Sequence, residues 1–353
     1  MKTVKQACQL ATNALSIDVS DQIEQLDQLI QDEGNGESFY AKTFITAGMR
    51  DLLRGTIERL AGKSSNAVFH LKQAMGGGKT HLIVGTGLVA KHPDLRQKYC
   101  ADIPASIAFG TARVVAFNGR NSPVHYFWGE IAHQLGETET FKKFWLQGPD
   151  APDETAWTKL LQSETPTLIL LDEMPPYFQY LGTKPLGTGT VADIATRAFA
   201  NMLSAAGKLK NVCIVVSDLD ASYAEGGALI ERALMDARKE LGRQEKAITP
   251  VDLAGNEVYD ILRKRLFVEL PDLAVIEDVA AKYGEALGEA TKSKVIARGA
   301  EAQADEIVKT YPFHPRLKEL VALFKENEQF KQTRGLMELM SRLLKSVWER
   351  EDE

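Results

Sequence analysis

Apolar runs alternate with amphipathic stretches through the middle of the chain. Five short runs rich in β-branched residues lie at residues 67–71, 112–117, 167–171, 212–216 and, more weakly, 247–253. Between them, apolar residues recur at helical spacing at residues 81–91, 124–135, 191–209 and 228–241. Uninterrupted apolar strands that alternate with helices are typical of a parallel sheet covered on both faces. The pattern predicts an open α/β fold whose ligand site lies at the carboxyl ends of the strands.

The two ends of the chain have helical patterns without such strands. Residues 1–36 predict two polar helices, and residues 46–60 predict a helix that precedes the first strand. Beyond residue 256 only amphipathic helices are predicted, at residues 257–267, 273–287, 300–309, 315–325 and 334–348. A glycine-rich loop at residues 181–190 is expected to be mobile. We therefore expect a helical extension over residues 1–38, an αβα core over residues 39–255 and a helical lid domain over residues 256–353.

Composition narrows the class of protein. The chain has 353 residues, which is more than one hydrophobic core usually supports, so two domains are expected. Its residues are 44% hydrophobic and 25% charged, as in ordinary globular proteins. No apolar stretch approaches the roughly 18 residues that cross a bilayer, so a cytoplasmic protein is expected. The formal net charge of -6 argues against coating nucleic acid through overall charge. Because residues 331–350 are locally basic, direct contact with DNA stays open.

Three consecutive glycines followed by lysine and threonine come after the first predicted strand. The segment runs Gln73-Ala74-Met75-Gly76-Gly77-Gly78-Lys79-Thr80-His81. Backbone N–H groups of such a loop surround a phosphate, and the following helix adds the positive end of its dipole. Lys79 is predicted to reach the β- and γ-phosphates of ATP, and the Thr80 hydroxyl to bind Mg²⁺. Residues 73–81 therefore predict a P-loop, although Gln73 stands where the motif opens with glycine.

Two carboxylates directly follow the third predicted strand. The run from Leu168 to Leu171 ends in Asp172 and Glu173. Asp172 is predicted to hold Mg²⁺ through water, and Glu173 to orient and deprotonate the attacking water. The alternative is a strand that simply ends in an acidic turn. The pair favours ATP hydrolysis by the additional-strand class of P-loop enzymes over phosphate transfer to a small acceptor. GTP is disfavoured because the sequence has no Asn-Lys-x-Asp segment to bind guanine.

With these motifs the chain resembles an AAA+ ATPase, which implies a three-layer αβα sheet with a helical lid. The resemblance implies that Asn118 is a polar switch residue that contacts Glu173, although an amide that caps the strand end explains it equally well. It also implies that Ser217, or alternatively Asp218, senses the γ-phosphate. In the predicted lid, Arg334 corresponds to the arginine that contacts the nucleotide phosphates, with a surface arginine as the alternative.

Further segments are similar to a narrower group, the large prokaryotic AAA+ ATPases encoded beside DNA methylases and helicases in phage-defence islands, including BREX-like systems. The segments that carry this resemblance are residues 39–46, 75–81, 257–267 and 311–315. It implies a homo-oligomer whose protein partners belong to a DNA-modification or antiviral defence system. Members of that group are usually much longer, so the chain is expected to be a fragment or a short relative.

AAA+ rings complete each site with an arginine from the neighbouring subunit. Arg243 lies where the resemblance places this arginine, and Arg263 and Arg265 compete for the role. The primary expectation is an ATPase that remodels a protein partner or moves it on DNA. Its rivals are a nucleotide-dependent assembly switch that turns over slowly and an ATP-binding interaction module without chemistry.

Overall fold

The computed structural model describes residues 2–16, 26, 36–72, 78–104, 106–121, 125–217, 224–241, 245–252, 255–295, 300–324 and 332–350. Contacts divide the chain into two compact units. The sheet unit consists of Glu24–Ala41 and Ile45–Pro250, and the helical unit consists of Met1–Ile23, Lys42–Phe44 and Val251–Glu353.

Helices and strands alternate along the described chain. The helices are α1 (Val4–Ala7), α2 (Gly36–Ala41), α3 (Ala47–Leu60), α4 (Lys79–Lys91), α5 (Pro93–Tyr99), α6 (Tyr126–Gln134), α7 (Thr138–Phe141), a 3₁₀ turn (Lys142–Phe144), α8 (Glu154–Leu161), α9 (Met174–Gly182), α10 (Val191–Lys208), α11 (Ala224–Leu241), α12 (Glu257–Leu266), α13 (Leu273–Lys292), α14 (Ala300–Thr310), α15 (Leu317–Phe324) and α16 (Gln332–Glu349). The strands are β1 (Gln9–Leu10), β2 (Val68–Leu71), β3 (Arg113–Asn118), β4 (Thr167–Asp172), β5 (Pro185–Leu186), β6 (Gly189–Thr190), β7 (Val212–Ser217), β8 (Glu245–Ile248) and β9 (Phe267–Glu269).

A five-stranded sheet in the order β3-β4-β7-β2-β8 forms the centre of the sheet unit. Its neighbouring strands all pair in parallel. The predicted α/β fold with a parallel sheet of five strands is therefore confirmed, and only the last strand begins and ends earlier than the sequence suggested. Strand β7 lies between β2 and β4, so the strands before the glycine loop and before the acidic pair are not neighbours.

Alternate residues of the strands pack into two separate apolar clusters. On β4, Ile169 and Leu171 belong to the cluster that includes α6, α8, α9 and α10. Leu168 and Leu170 belong to the cluster that includes α3 and α4. All of β4 is buried, as a strand covered on both faces must be. Helices therefore cover both faces of the sheet, as a three-layer αβα fold requires.

The helical unit contains α12 to α16, as predicted, but also a short sheet. Strand β1 pairs antiparallel with β9, with Gln9 opposite Glu269 and Leu10 opposite Phe267. Of the two polar helices predicted in residues 1–36, the first is wrong beyond α1, because β1 follows α1 directly. Leu26, the described residue of the second, is helical. The prediction of an all-helical domain at the carboxyl end is also wrong, since β9 lies within it.

The glycine-rich segment at residues 181–190 has regular structure rather than an open loop. Helix α9 continues to Gly182, and β5 and β6 then form a hairpin in which Leu186 pairs with Gly189. At the tip Gly187 has φ +58°, a conformation that glycine adopts without steric cost. A capping box between Thr190 and Asp193 starts α10 directly after the hairpin.

A helix that spans a bilayer needs about 20 mostly apolar residues. No helix in the described part of the chain combines that length with that apolar character.

Candidate functional site

The start of α4 carries the basic and hydroxyl side chains of the predicted P-loop. Gly78 has φ +84° and caps the helix, so that Lys79 and Thr80 are its first two residues. The left-handed conformation of Gly78 suits glycine because other residues meet a steric penalty there. Lys79 is 6% exposed. The rest of the predicted loop, Gln73, Ala74, Met75, Gly76 and Gly77, lies outside the described residues.

A hydrogen bond joins the start of α4 to the end of β4. The Thr80 hydroxyl donates to Oδ2 of Asp172 at 2.6 Å. Asp172 is 2% exposed and is the last residue of β4. Two residues that lie 92 positions apart in the chain, and that were predicted to serve one metal ion, are therefore in direct contact.

Ser217 at the end of β7 connects both carboxylate residues. Its hydroxyl donates to Oδ1 of Asp172, and its oxygen accepts the backbone N–H of Glu173 at 3.2 Å. The same Glu173 N–H is 3.0 Å from Asp172 Oδ1. Ser217 is fully buried. The ends of β4 and β7 and the start of α4 thus form one hydrogen-bonded cluster, as parallel strands with a common carboxyl edge allow.

Glu173 occupies a strained backbone position between β4 and α9. Its φ of +55° and ψ of 35° lie in the left-handed region, which costs a non-glycine residue about 1–2 kcal/mol. Such strain is common at functional sites. Burial raises the pKa of the Glu173 carboxyl, and the negative charge of Asp172 raises it further, while Arg120 and Lys79 oppose the rise. A carboxylate whose pKa is raised is better suited to accept a proton near neutral pH.

Arg120 pairs with the Glu173 carboxylate. Its Nε lies 3.3 Å from Oε2 of Glu173, whose side chain is 20% exposed. Asn118, the predicted contact of Glu173, uses its Oδ1 to accept the Arg120 backbone N–H at 2.9 Å. The observed bond of Asn118 corresponds to the strand-capping alternative, and its role as a switch residue stays a prediction.

The clustered groups have complementary chemistry. A buried lysine, a hydroxyl hydrogen-bonded to a carboxylate, and a second carboxylate with a raised pKa lie around the carboxyl ends of β4 and β7. Among the described residues, no three His, Cys, Asp or Glu side chains are grouped so as to hold a metal ion. Mg²⁺ in phosphate sites commonly has one or two carboxylates and completes its shell with water and phosphate oxygens. Thr80 and Asp172 fit that kind of site.

Comparison with known families finds two matches, one toward each end of the chain. Residues 15–99 are similar to a family model described as the DUF499 N-terminal domain. Residues 254–353 are similar to a model described as the DUF499 second domain. No curated protein matches the chain. The first match includes Lys79 and Thr80, whereas Asp172, Glu173 and Ser217 lie between the two matched segments.

The remaining predicted residues have different surroundings. His81 stacks on Phe39 with the ring centroids 4.4 Å apart. Arg334 is half-buried on α16 of the helical unit. Arg243 and Asp218 lie outside the described residues.

The two rival arginines lie on α12. Arg263 donates to the carbonyl oxygens of Lys309 at 2.8 Å and Tyr311 at 3.3 Å, and it pairs with Asp260. Arg265 is half-buried on the same helix. The contacts of Arg263 lie within the helical unit, so they are contacts that stabilise the fold.

Sequence reasoning missed Gly119 and Arg120. The Gly119 N–H donates to the Asp172 carbonyl at 2.8 Å. A Cβ atom on Gly119 would lie 2.1 Å from the Glu173 carbonyl oxygen, so only glycine fits there. The sequence shows that Gly119 and Arg120 directly follow a predicted strand. Their closeness to Asp172 and Glu173 could be recognised only from the pairing of β3 with β4.

Proposed function

We propose that this chain binds ATP with Mg²⁺ and hydrolyses it at the cluster formed by α4, β4 and β7. The observation that carries the proposal is the hydrogen bond of 2.6 Å between Thr80 and Asp172. It brings the residue after the P-loop lysine to the acidic strand, where a hydroxyl and a carboxylate are both needed beside a Mg²⁺-bound phosphate.

Each side chain of the cluster has a role in this proposal. Lys79 binds the β- and γ-phosphates from the first turn of α4, and Thr80 and Asp172 hold Mg²⁺. Glu173 orients a water molecule and accepts its proton as the water oxygen attacks the γ-phosphorus. The bond from that phosphorus to the β,γ-bridging oxygen breaks, and ADP leaves. Ser217 fixes the Asp172 carboxylate and the Glu173 backbone. Mg²⁺ supplies neutralisation of the charge on the phosphate oxygens.

We further propose that the fold is of the AAA+ type. In support, β7 lies between β2 and β4, the position of the extra strand in the additional-strand class of P-loop enzymes. By the resemblance, the helical unit corresponds to the lid domain of that fold, and Arg334 is the arginine that the resemblance assigns to it. Asn118 and Ser217 are the candidate switch and sensor residues at the ends of β3 and β7.

The cellular process that we propose for this ATPase is inferred from the resemblance to ATPases of phage-defence islands. We propose a homo-oligomer that uses ATP to power or switch a DNA-modification or antiviral defence complex. An ATPase assay over a range of protein concentrations, with and without double-stranded DNA, tests this setting. A rate per subunit that is independent of concentration and of DNA would contradict oligomeric turnover and stimulation by DNA.

ATP hydrolysis itself is tested by phosphate release from the purified chain. We expect turnover with Mg²⁺ and ATP, little turnover with GTP, and none when EDTA removes the metal. The Thr80→Val variant, which keeps the shape of the side chain but lacks the hydroxyl, should lose most of the Mg²⁺-dependent rate. Full activity of that variant would remove the Thr80–Asp172 contact from the proposed site.

A further inference from the structure

We propose that Arg120 is a positioning residue for hydrolysis, which holds the Glu173 carboxylate in place through an ion pair. This inference rests on the proposed ATPase function and adds a residue to its site. The segment from Asn118, the last residue of β3, to Arg120 contacts the acidic pair in two ways.

The first of these ways is through the backbone. Strands β3 and β4 pair in register, with Asn118 opposite Asp172. The next N–H, that of Gly119, continues the ladder by donating to the Asp172 carbonyl at 2.8 Å. Because a Cβ on Gly119 would lie 2.1 Å from the Glu173 carbonyl oxygen, the two chains approach as closely as glycine permits. The position of Arg120 is therefore fixed relative to Glu173 by main-chain contacts.

The second way is through the side chains. The Arg120 N–H donates the bond to Asn118 Oδ1 that turns the chain after β3. Its guanidinium then lies with Nε 3.3 Å from Glu173 Oε2. The Glu173 side chain is 20% exposed and the Arg120 side chain 47% exposed, so the arginine keeps part of its surface in water while it pairs with the more buried acid.

Charge gives the contact a chemical consequence. Among the described residues, the charged groups that act on Glu173 are Asp172 on β4, Lys79 on α4 and Arg120 after β3. The ion pair with Arg120 therefore balances the charge of a partly buried carboxylate that lies beside a second one, and it holds Glu173 Oε2 on the side of Arg120. Without Arg120, the Glu173 side chain would lose the partner that fixes its orientation.

The test compares Arg120→Ala, Arg120→Lys and the control Arg197→Ala, which removes an exposed arginine from α10. We expect Arg120→Ala to lower kcat about tenfold at neutral pH, with KM for ATP changed by less than about twofold. Arg120→Lys should recover part of kcat, because it keeps the charge, and Arg197→Ala should match the parent chain.

Three results would overturn the inference. They are a parental kcat in Arg120→Ala, a rise in KM for ATP as large as the fall in kcat, and a gain in kcat, which would mean that the ion pair restrains Glu173. A second readout does not need turnover: Arg120→Ala should lower the melting temperature by about 1–2 °C in the parent chain and less in a Glu173→Gln background. Equal losses in both backgrounds would overturn the ion pair even if the parent chain proved unable to hydrolyse ATP.

Discussion

At the scale of single residues, Asp172 is the centre of the candidate site. It accepts hydrogen bonds from Thr80 on α4 and Ser217 on β7, and both donors are hydroxyl groups. Because Asp172 is nearly fully buried, each bond compensates for the lost hydration of its carboxylate. Side chains from three different elements therefore depend on one another for their positions.

Ser217→Ala tests this dependence. The variant should lose about 1–3 kcal/mol of unfolding free energy, because Asp172 loses a buried donor, and its ATP turnover should fall. Ser341→Ala is the matched control, since Ser341 is also buried and donates to the Ala14 carbonyl at 2.7 Å in the helical unit. The control should lose a similar amount of stability in urea unfolding but keep its turnover per folded molecule. Equal turnover in the two variants would contradict the role of Ser217.

The raised pKa of Glu173 predicts a pH-dependent effect on stability. An acid whose pKa is higher in the folded state than in the unfolded state costs stability once the pH exceeds the ordinary carboxyl value, and the full cost is reached above the folded pKa. Glu173→Gln removes this cost, so its melting temperature should exceed that of the parent chain at pH 8.

The difference should shrink as the pH falls toward the ordinary glutamate pKa of about 4.3, because Glu173 is then neutral in both states. Melting curves in buffers across this range measure it. A difference that stays constant from acid to alkaline pH would show that Glu173 is not destabilised by burial.

The sequence identified the residue types of this site but not all of their contacts. Lys79, Thr80, Asp172 and Glu173 could be chosen because glycine runs and strand-terminal acids have direct chemical meanings. The pairing of Arg120 with Glu173 could not, because it depends on β3 lying beside β4 in register. Strand neighbours are set by packing over long sequence separations, which the local pattern does not encode.

At the scale of elements, a buried arginine ties α3 to the end of α10. Arg59 is 3% exposed and donates to the carbonyl oxygens of Val212 at 2.9 Å, Ala206 at 2.8 Å and Leu209 at 2.6 Å. Two of these acceptors belong to the last turn of α10 and the residue that caps it, where helix carbonyls lack partners and the dipole is negative. Burial lowers the pKa of Arg59, and these carbonyls compensate for the lost hydration of its charge.

Arg59→Met should therefore lower the unfolding free energy on the order of 3 kcal/mol, since it removes the shorter bonds to these carbonyls and leaves Ala206 and Leu209 with backbone bonds of 3.3 and 3.4 Å. Arg54→Met on the same helix is the control. Arg54 is exposed and pairs with Asp102 at 2.9 Å, a contact worth less than about 1 kcal/mol. Urea unfolding of the two variants checks the prediction, and equal losses would mean that the Arg59 contacts do not stabilise the fold.

Elements were predicted best where one property dominates the local sequence. Four strands were found because each contains a run of mostly apolar residues, whereas β8 was placed too late in the sequence because it begins with Glu245 and Lys246. The helices after residue 256 were found because their apolar spacing is long and regular. Strand β1 was missed because its two residues gain their structure by pairing with β9, which is remote in sequence. The hairpin of β5 and β6 was missed because its glycines indicate a turn without indicating that the flanking residues pair.

At the scale of the whole molecule, the proposal requires subunits to cooperate. If Arg243 acts on the neighbouring site, Arg243→Ala should bind ATP normally but lose about 10³- to 10⁵-fold in turnover. Mixing Arg243→Ala with inactive Glu173→Gln subunits should then restore some activity, because some interfaces pair an intact Glu173 with an intact Arg243. Light scattering must show that mixed oligomers form. If mixed oligomers form but recover no activity, the role passes to Arg263 or Arg265, or no arginine is supplied by the neighbouring subunit.

The central claim is that one site binds ATP through Lys79 and hydrolyses it through Glu173. The most direct measurement is calorimetric titration of Mg²⁺ and ATP into the parent chain, Lys79→Ala and Glu173→Gln, with phosphate release measured on the same preparations. We predict that Lys79→Ala loses binding and turnover together, whereas Glu173→Gln binds ATP with parental affinity and releases no phosphate. Parental ATP affinity in Lys79→Ala, or parental phosphate release by Glu173→Gln, would contradict the account.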